Sequence, residues 1–531
     1  MTDEALQKII EEIIVELRRI SDVPMPYHEK EDGFPFPRMI ATGDDSQILI
    51  SKKIDLLITR IANIKMRADG GEGELRRRHY SENDMRSLIR RSFGPALAKI
   101  DLGDDLEKIS HTVLSNVLAD IASAMDRVLS SQREYTFGCN LFFYKDIGPL
   151  DIGPVRFEPR EIWLQRKASD GRWARIVDGG QIERFSHKIA DGPISPIAKR
   201  RIMHAWKGEK LRKRRPSYDS WFETDILRAI GDSAYVCSVR TEGLDGVAGQ
   251  KKALLAARLA LSVLALRWEK PSNALTQVKL APDRPAGYRQ ILSFTPEGLM
   301  STEGIGTKLR GESWSEREQV EQSLIKLKDI FDVFGKSLYW LLSPSKSSGE
   351  PKLFIALLHS LIMFYEGCTS ELDQLAVSKF VSALDILTEG EGQAGVKDLL
   401  CICFSIEASE RFTSNELTID NFVQQIYSKG RSKMFHGGNR TLDHDWSGLR
   451  ALAEWVTRYV LIFCAEQAGS NPDSGQPKKV FLKGRKKPAT VAQLKVRIHP
   501  ELHNNLTEIA EAEGKCLDEW IAEILAREAH S

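Results

Sequence analysis

The chain has 531 residues, 42% of them hydrophobic and 28% charged, which is the composition of an ordinary soluble globular protein. Its length is enough for about two to four domains, and its formal net charge of +1 argues neither for nor against a nucleic-acid partner. The 7 cysteines, odd in number and irregularly spaced, argue against a disulfide framework and favour reduced thiols in a cytoplasmic protein.

The first predicted region, residues 1–133, is helical. Apolar residues at helical spacing predict an amphipathic helix over residues 1–20 and two more helices near residues 84–98 and 104–131. The start of the chain is acidic and amphipathic, which is unlike a signal peptide. The apolar positions of the first helix are Leu6, Ile9, Ile10, Ile13, Ile14 and Leu17.

The second predicted region, residues 134–345, mixes strands and helices. Aromatic and β-branched residues interrupted by Gly and Pro predict short strands and turns over residues 135–173, and residues 316–345 return to helical periodicity. The most apolar run, residues 253–266, contains Arg258 and is shorter than the ~20 residues that span a bilayer. We therefore predict no membrane partner and a cytoplasmic location.

A basic run lies inside this region, at residues 198–216. Two interpretations stay open: a solvated helix face, which is the more common origin of a charge run, and a surface that docks RNA. Trp206 lies within the run and adds little to the second interpretation. The basic residues are Lys199, Arg200, Arg201, Lys207, Lys210 and residues 212–215.

Residues 346–468 predict an all-α domain. Four or five apolar helices joined by short connections are typical of an up-and-down bundle, and one of them places Phe380, Leu384 and Leu387 on a single stripe. The predicted fold class is therefore α+β, with an N-terminal helical and mixed α/β region, a helical bundle and a small C-terminal module.

The fourth helix of this bundle ends in an unusual stretch, IYSKGRSKMFHGGNR, at residues 426–440. Gly437 and Gly438 can adopt the left-handed conformation that ends a helix, so we expect His436 in the last turn, where the helix dipole favours its protonated form. Arg431 lies five residues earlier, about 140° around the helix. The two side chains do not share a face, but two such helix ends meeting across a twofold axis would bring both to one cleft.

A cationic cleft that contains a histidine has the chemistry of a ribonuclease site. The histidine would exchange a proton with the ribose 2′-hydroxyl or the leaving oxygen, and the arginine would stabilise the charge that builds on the scissile phosphate. On spacing alone a structural role is favoured, with the histidine capping its own helix and the arginine in a surface salt bridge. The bundle has no metal-ligand spacing, so no metal is predicted.

The stretch YSKGRSKMFHGG, residues 427–438, resembles the Rx4–6H signature of the HEPN superfamily. Four residues separate Arg431 from His436, and Tyr427 lies four residues before the arginine. Upstream, AVSKFVSALDIL resembles the helix of the ApeA-like branch that usually carries a glutamate near the active site, with Asp385 at the glutamate position.

This resemblance implies a metal-independent endoribonuclease that acts as a homodimer or higher oligomer, uses no cofactor and leaves 2′,3′-cyclic phosphate ends on its RNA substrate. Members of the superfamily act in antiviral defence, abortive infection and toxin–antitoxin systems, and some are non-catalytic scaffolds. By the same resemblance Arg431 and His436 are catalytic, and we would look for a sensor in residues 1–345. The implied supporting residues are Ser432, Tyr427 and Asp385, and charge suggests Lys433 and Arg440 as contacts to the RNA backbone.

A linker and a C-terminal module complete the chain. Residues 469–490 are rich in Gly, Ser, Pro and Asn, which predicts a linker. In the module, residues 491–531, Gln493, Lys495 and Arg497 alternate with apolar residues, as in a strand with one polar face, and two short helices follow. A strand and two helices of this size cannot bury a core alone, so we expect two chains to pair through the strand.

The C-terminal module resembles the HicB-type ribbon–helix–helix. This implies that the polar strand face enters the major groove of DNA, where Gln493, Lys495 and Arg497 would read base edges. Cys516 stands where the second helix usually opens with serine, and Asp518 where asparagine is usual. DNA binding and dimerisation alone both stay open, and the alternative for the whole chain is a non-catalytic HEPN scaffold or DNA-binding autoregulator.

Overall fold

The computed structural model describes most of the chain and divides it into two units, residues 1–484 and residues 485–531. The predicted strand with Gln493, Lys495 and Arg497, and most of the second unit, lie outside the described residues. The described residues are 3–21, 38–42, 46–67, 79–169, 184–185, 188–189, 194–244, 246–283, 289–294, 300–305, 316–344, 352–413, 417–428, 445–471, 475–482, 506–507, 509–510, 520–521 and 524.

The N-terminal helices enclose a hydrophobic core of their own. The elements of this region are α1 (Asp3–Ser21), β1 (Met39–Ala41), β2 (Gln47–Leu49), α2 (Lys52–Arg67), α3 (Glu82–Leu97) and α4 (Leu106–Leu129). The predicted amphipathic helix is confirmed as α1, because its six apolar positions are all at most 5% exposed. The helices predicted near residues 84–98 and 104–131 are also present, as α3 and α4.

One buried carboxylate joins several of these elements. Asp55 of α2 has a side chain that is 8% exposed, and it contacts three guanidinium groups, Arg38 Nη1 at 3.3 Å, Arg86 Nη2 at 2.6 Å and Arg90 Nη1 at 2.7 Å. Arg90 also donates to the Met39 carbonyl oxygen at 3.0 Å. Asp55 therefore holds α2, α3 and the strand β1 together, and without its charge three cations would face one another.

Replacing Asp55 by asparagine is expected to lower the free energy of unfolding by about 1–2 kcal/mol, a modest value because the arginines are partly exposed and can be rehydrated. The loss should shrink as KCl is raised, since salt screens the repulsion between the arginines. Urea unfolding followed by circular dichroism measures both effects. The matched control is Asp120→Asn on the exposed face of α4, and equal stability of the two variants would show that the three ion pairs contribute nothing.

The middle region combines antiparallel strands with helices. Its strands are β3 (Gln132–Asn140), β4 (Leu150–Ile152), β5 (Val155–Pro159), β6 (Arg184–Phe185), β7 (Lys188–Ile189), β8 (Tyr235–Glu242), β9 (Lys279–Leu280), β10 (Arg289–Phe294) and β11 (Met300–Ile305). Its helices are α5 (Arg160–Ser169), α6 (Pro196–Trp206), α7 (Tyr218–Ile230), α8 (Gly246–Ala265), α9 (Pro271–Gln277), α10 (Arg317–Lys326) and α11 (Lys328–Leu342).

Five of these strands form one sheet in the order β4–β5–β8–β3–β9. Strand β8 is central, with β3 along one edge and β5 along the other, both antiparallel. The short strands predicted from the sequence are confirmed for β3, β4 and β5, but residues 160–169 form helix α5 instead. Trp163 and Leu164 are buried on one side of this helix, and the Arg160 guanidinium holds its start by donating to the Ser233 and Trp206 carbonyls.

Helices occupy all five predicted places in residues 346–468, although the fourth, expected to run to His436, is described only as far as residue 428. They are α12 (Lys352–Thr369), α13 (Asp373–Leu387), α14 (Gly392–Phe404), α15 (Ile419–Gln425) and α16 (Ser447–Ser470). The stripe of Phe380, Leu384 and Leu387 is fully buried. Helix α12 is long and apolar enough to cross a membrane by composition, yet half of it is buried inside the protein, where it packs on α13 and α16.

One hydrophobic core runs from the sheet into these helices. It includes Phe157 and Val239 of the sheet, Leu264 of α8, Phe334 of α11 and Phe380 of α13. The core therefore crosses the domain boundary predicted at residue 345. The coarse fold is α+β, mostly helical with small antiparallel sheets, as the sequence predicts.

Part of the predicted linker also belongs to this core. The stretch after α16 contains a short helix, α17 (Pro477–Phe481), in which Val480 and Phe481 are 5% and 1% exposed. The apolar residues 480–482 account for this difference, because burying them outweighs the polar composition of the residues around them.

A close backbone approach fixes α11 to the sheet. Gly335 of α11 lies against Gly153, in the turn between β4 and β5, and a Cβ built on Gly335 would lie 2.6 Å from the Gly153 nitrogen and 2.9 Å from its Cα. Gly153 also has φ of +59°, a conformation that favours glycine. Neither position has room for a side chain without a shift of the backbone.

Candidate functional site

Two of the predicted supporting residues meet in the structure. The Tyr427 hydroxyl donates to Asp385 Oδ1 at 3.3 Å, across 42 residues of sequence. The same carboxylate oxygen accepts a hydrogen bond from the Gly392 backbone N–H at 2.8 Å. Asp385 thus joins the end of α13, the start of α14 and the segment that leads into residues 431–436.

The turn between α13 and α14 sets the direction of this carboxylate. Glu389, Gly390 and Gly392 all have positive φ, of 56°, 80° and 67°, so the chain reverses sharply after α13 and returns past Asp385. The Gly390 N–H caps the helix by donating to the Asp385 carbonyl at 3.0 Å. The first N–H of α14 therefore points at the Asp385 side chain, which satisfies one of the donors that the start of a helix leaves unpaired.

Tyr427 lies just after α15. The Thr418 side chain caps this helix by accepting from the Asn421 N–H, and Ile426, next to the tyrosine, is fully buried in the core. Residues 426–428 form a π-helical turn, a departure from α-helix that often occurs at functional sites. The burial of Ile426 and the hydrogen bond to Asp385 together fix the position of Tyr427, just before residues 431–436 in the sequence.

The remaining predicted site residues follow this turn directly in the sequence. Arg431, Ser432, Lys433, His436 and Arg440 all lie outside the described residues. The geometry of the site therefore concerns Asp385 and Tyr427, which form a carboxylate–phenol pair. Such a pair can orient a neighbouring group or stabilise its charge, and the Tyr427 hydroxyl and the Gly392 N–H both donate to the carboxylate.

An aromatic cluster that the sequence does not single out lies behind α15. Phe404 stacks on Tyr459 with ring centres 5.0 Å apart and on Trp455 at 5.6 Å, and Phe412 contacts both Phe404 and Phe422. These rings tie α14 and α15 to α16. Their wide sequence separation gives no periodic signal, so only the folded structure reveals the cluster.

The protein also has a small cavity of about 230 Å³, and neither Asp385 nor Tyr427 is among the residues that line it. Arg258, the charged residue of the apolar run, forms an ion pair with Asp283 there, and Tyr365 also lines the wall. Hydrogen bonding to Asp283 raises the pKa of Arg258, and burial raises the pKa of Tyr365 to about 12. The cavity is smaller than most ligand pockets, and its one carboxylate, Asp283, is already paired with Arg258, while Lys279 adds a second cation to the wall.

The described cysteines do not have the environment of catalytic nucleophiles. Burial raises the pKa of Cys368, Cys403 and Cys464, so their thiols are protonated at neutral pH. The described cysteines are free of disulfides. Within the described ranges, no group of three His, Cys, Asp or Glu residues is arranged to hold a metal ion.

Comparisons of the chain with protein families, with curated proteins and with solved structures found no match.

Proposed function

We propose that the protein is a metal-independent endoribonuclease of HEPN type that acts as a homodimer in the cytoplasm, in antiviral defence or a toxin–antitoxin-like system. The observation that carries this proposal is the hydrogen bond between Tyr427 and Asp385. The resemblance assigns supporting roles to both residues from two separate sequence stretches. A contact between them, at the entry to the Rx4H motif, is what a shared site requires.

The proposed reaction is cleavage by the ribose 2′-hydroxyl. His436 takes the proton of this hydroxyl, or gives one to the leaving oxygen, while the 2′-oxygen bonds to phosphorus and the bond from phosphorus to the 5′-oxygen breaks. The leaving oxygen takes up a proton, and the products are a 2′,3′-cyclic phosphate and a 5′-hydroxyl. Arg431 holds the charge on the phosphoryl oxygens through its planar guanidinium.

The proposal is tested by RNA cleavage with the purified full-length protein in EDTA, followed by end-group analysis of the products. Cleavage that persists in the chelator and leaves 2′,3′-cyclic phosphate ends supports it. Because a defence nuclease stays off until it is signalled, the same assay is repeated with extract of phage-infected cells. A non-catalytic scaffold or DNA-binding autoregulator, the alternative function, predicts no cleavage in either condition.

Asp385 and Tyr427 are proposed as positioning residues, and three substitutions test this role. Tyr427→Phe and Asp385→Asn are expected to lower kcat about tenfold with little change in KM, because each weakens the support of the catalytic groups. Asp385→Glu should keep most of the activity, since it retains the charge. Single-turnover cleavage, with thermal unfolding as the control, distinguishes a positioning role from a purely structural one. If the role were purely structural, Asp385→Asn would lower the stability of the protein and leave kcat per folded molecule unchanged.

The C-terminal module is proposed to pair two chains as a ribbon–helix–helix, with DNA contact through Gln493, Lys495 and Arg497 as its further role. Dimerisation through this module would support the proposed nuclease activity. Arg431 and His436 are expected on different faces of one helix, so a second copy of the chain is needed to bring such residues into one cleft. The partners of the protein are then RNA, a second copy of the chain and, through the polar strand face, DNA.

A further inference from the structure

The basic run at residues 198–216 belongs to an ordered part of the fold. Ile202 and Trp206 of α6 are buried in a small core with α5, α7 and β8. The Arg160 guanidinium lies 5.1 Å from the Trp206 ring centre and donates to the Trp206 carbonyl at 2.8 Å. Trp206 is therefore a core residue that holds α6 in place, and it is not a free ring for stacking bases.

Two arginines of the run anchor the stretch between α6 and α7. The buried Glu223 of α7 pairs with Arg201 at 2.9 Å and with Arg214 at 3.5 Å. Arg201 also donates to the Arg212 carbonyl at 3.1 Å, and Arg214 donates to Ser217 Oγ at 2.6 Å. These bonds fix the backbone of the stretch at both ends, so its other side chains are presented from a rigid support.

Six other cations of the run face solvent, and Lys199 is partly buried. Nine basic residues lie in the run against one acidic residue, Glu209, although the whole chain has a net charge of only +1. Glu209 is itself engaged by His204, and no carboxylate among the described residues pairs with the exposed cations. These exposed cations are Arg200, Lys207, Lys210, Arg212, Lys213 and Arg215.

We propose that this basic segment, residues 199–215, binds the phosphate backbone of single-stranded RNA. A row of fixed cations without nearby carboxylates is complementary to a polymer that carries one negative charge per nucleotide. The planar guanidinium groups of the arginines can also donate two hydrogen bonds to phosphate oxygens. Residues 199–215 expose no large apolar side chain, and Ile197 just before them is a single exposed aliphatic residue. The surface therefore lacks the broad apolar face that an amphipathic helix inserts into an anionic membrane. The choice of RNA over DNA rests on the proposed function.

Fluorescence anisotropy with a labelled single-stranded RNA tests the segment in a full-length His436→Ala background, where cleavage cannot consume the probe. The test variant carries Lys210→Ala, Arg212→Ala, Lys213→Ala and Arg215→Ala, which spare the anchoring residues. The control variant removes the same charge elsewhere. Its substitutions are Arg91→Ala, Lys99→Ala, Lys108→Ala and Arg127→Ala, at exposed positions of the N-terminal helices and the turn between them.

The test variant is expected to bind about 100-fold more weakly at moderate salt, and the slope of log K against log salt should fall by about 3, since each lost phosphate contact removes ~0.7. The control variant should bind as the parent does. Equal binding by the two variants, or tighter binding of the parent to duplex DNA or to anionic vesicles than to RNA, would overturn the inference. RNA binding through the segment without cleavage in any condition would instead leave the inference standing and refute the nuclease.

Discussion

Replacing His436 by alanine is expected to reduce metal-free RNA cleavage by roughly 10²- to 10⁴-fold, the range over which a positioned acid or base accelerates proton transfer. Arg431→Ala should cause a loss of similar size, because the guanidinium balances the charge that develops on the phosphate. In both variants KM should change little, since the lost interactions act mainly in the transition state. Single-turnover cleavage of a defined RNA in EDTA measures the effect.

The control for this prediction is His111→Ala, at an exposed position of α4. It should cleave RNA as the wild type does. If wild type and His436→Ala give equal cleavage in extract of phage-infected cells, the catalytic assignment fails. The C-terminal module and the basic segment would then be the places to seek the activity of the protein.

Gly335→Ala is expected to destabilise the protein by about 2–4 kcal/mol, although alanine normally favours a helix over glycine by up to ~1 kcal/mol. The new Cβ would lie 2.6 Å from the Gly153 nitrogen, and since the obstacle is backbone, the helix and the β4–β5 turn must move apart. Urea unfolding followed by tryptophan fluorescence measures the loss.

Gly448→Ala provides the matched control for this substitution. Gly448 lies in the first turn of α16, and a Cβ there would meet nothing within 4 Å. The same chemical change should therefore be neutral or slightly stabilising. Equal stability of Gly335→Ala and Gly448→Ala would mean that the sheet and α11 do not depend on their close approach.

Periodic apolar residues make some elements of this fold predictable from the sequence. Helix α1 is one, because its six apolar positions follow one stripe and all are buried. Helix α2 carries the same signal at Ile54, Leu57 and Ile58, yet lies outside the predicted helices. Helix α5 is harder to predict, because it is short and its start depends on Arg160 bonds to carbonyls 46 and 73 residues away.

The candidate site also has features that the sequence predicts and features that it does not. The sequence singles out Asp385 and Tyr427 separately, each from its place in a motif. Their contact is not predictable, because it depends on a reversal of the chain at Glu389, Gly390 and Gly392. Residues 388–392, TEGEG, contain the glycines for such a turn. Local composition does not predict, however, which side chain the chain will meet after it reverses.

The hydrophobic core that the sheet shares with helices α12 to α16 makes the two regions thermodynamically linked. A ligand that binds only the native middle region stabilises everything that unfolds with it, by about 2.7 kcal/mol when its concentration is a hundred times its Kd. The helices that carry Asp385 and Tyr427 share this stabilisation without touching the ligand. A ligand of the middle region would therefore change how often the helices around Asp385 and Tyr427 open.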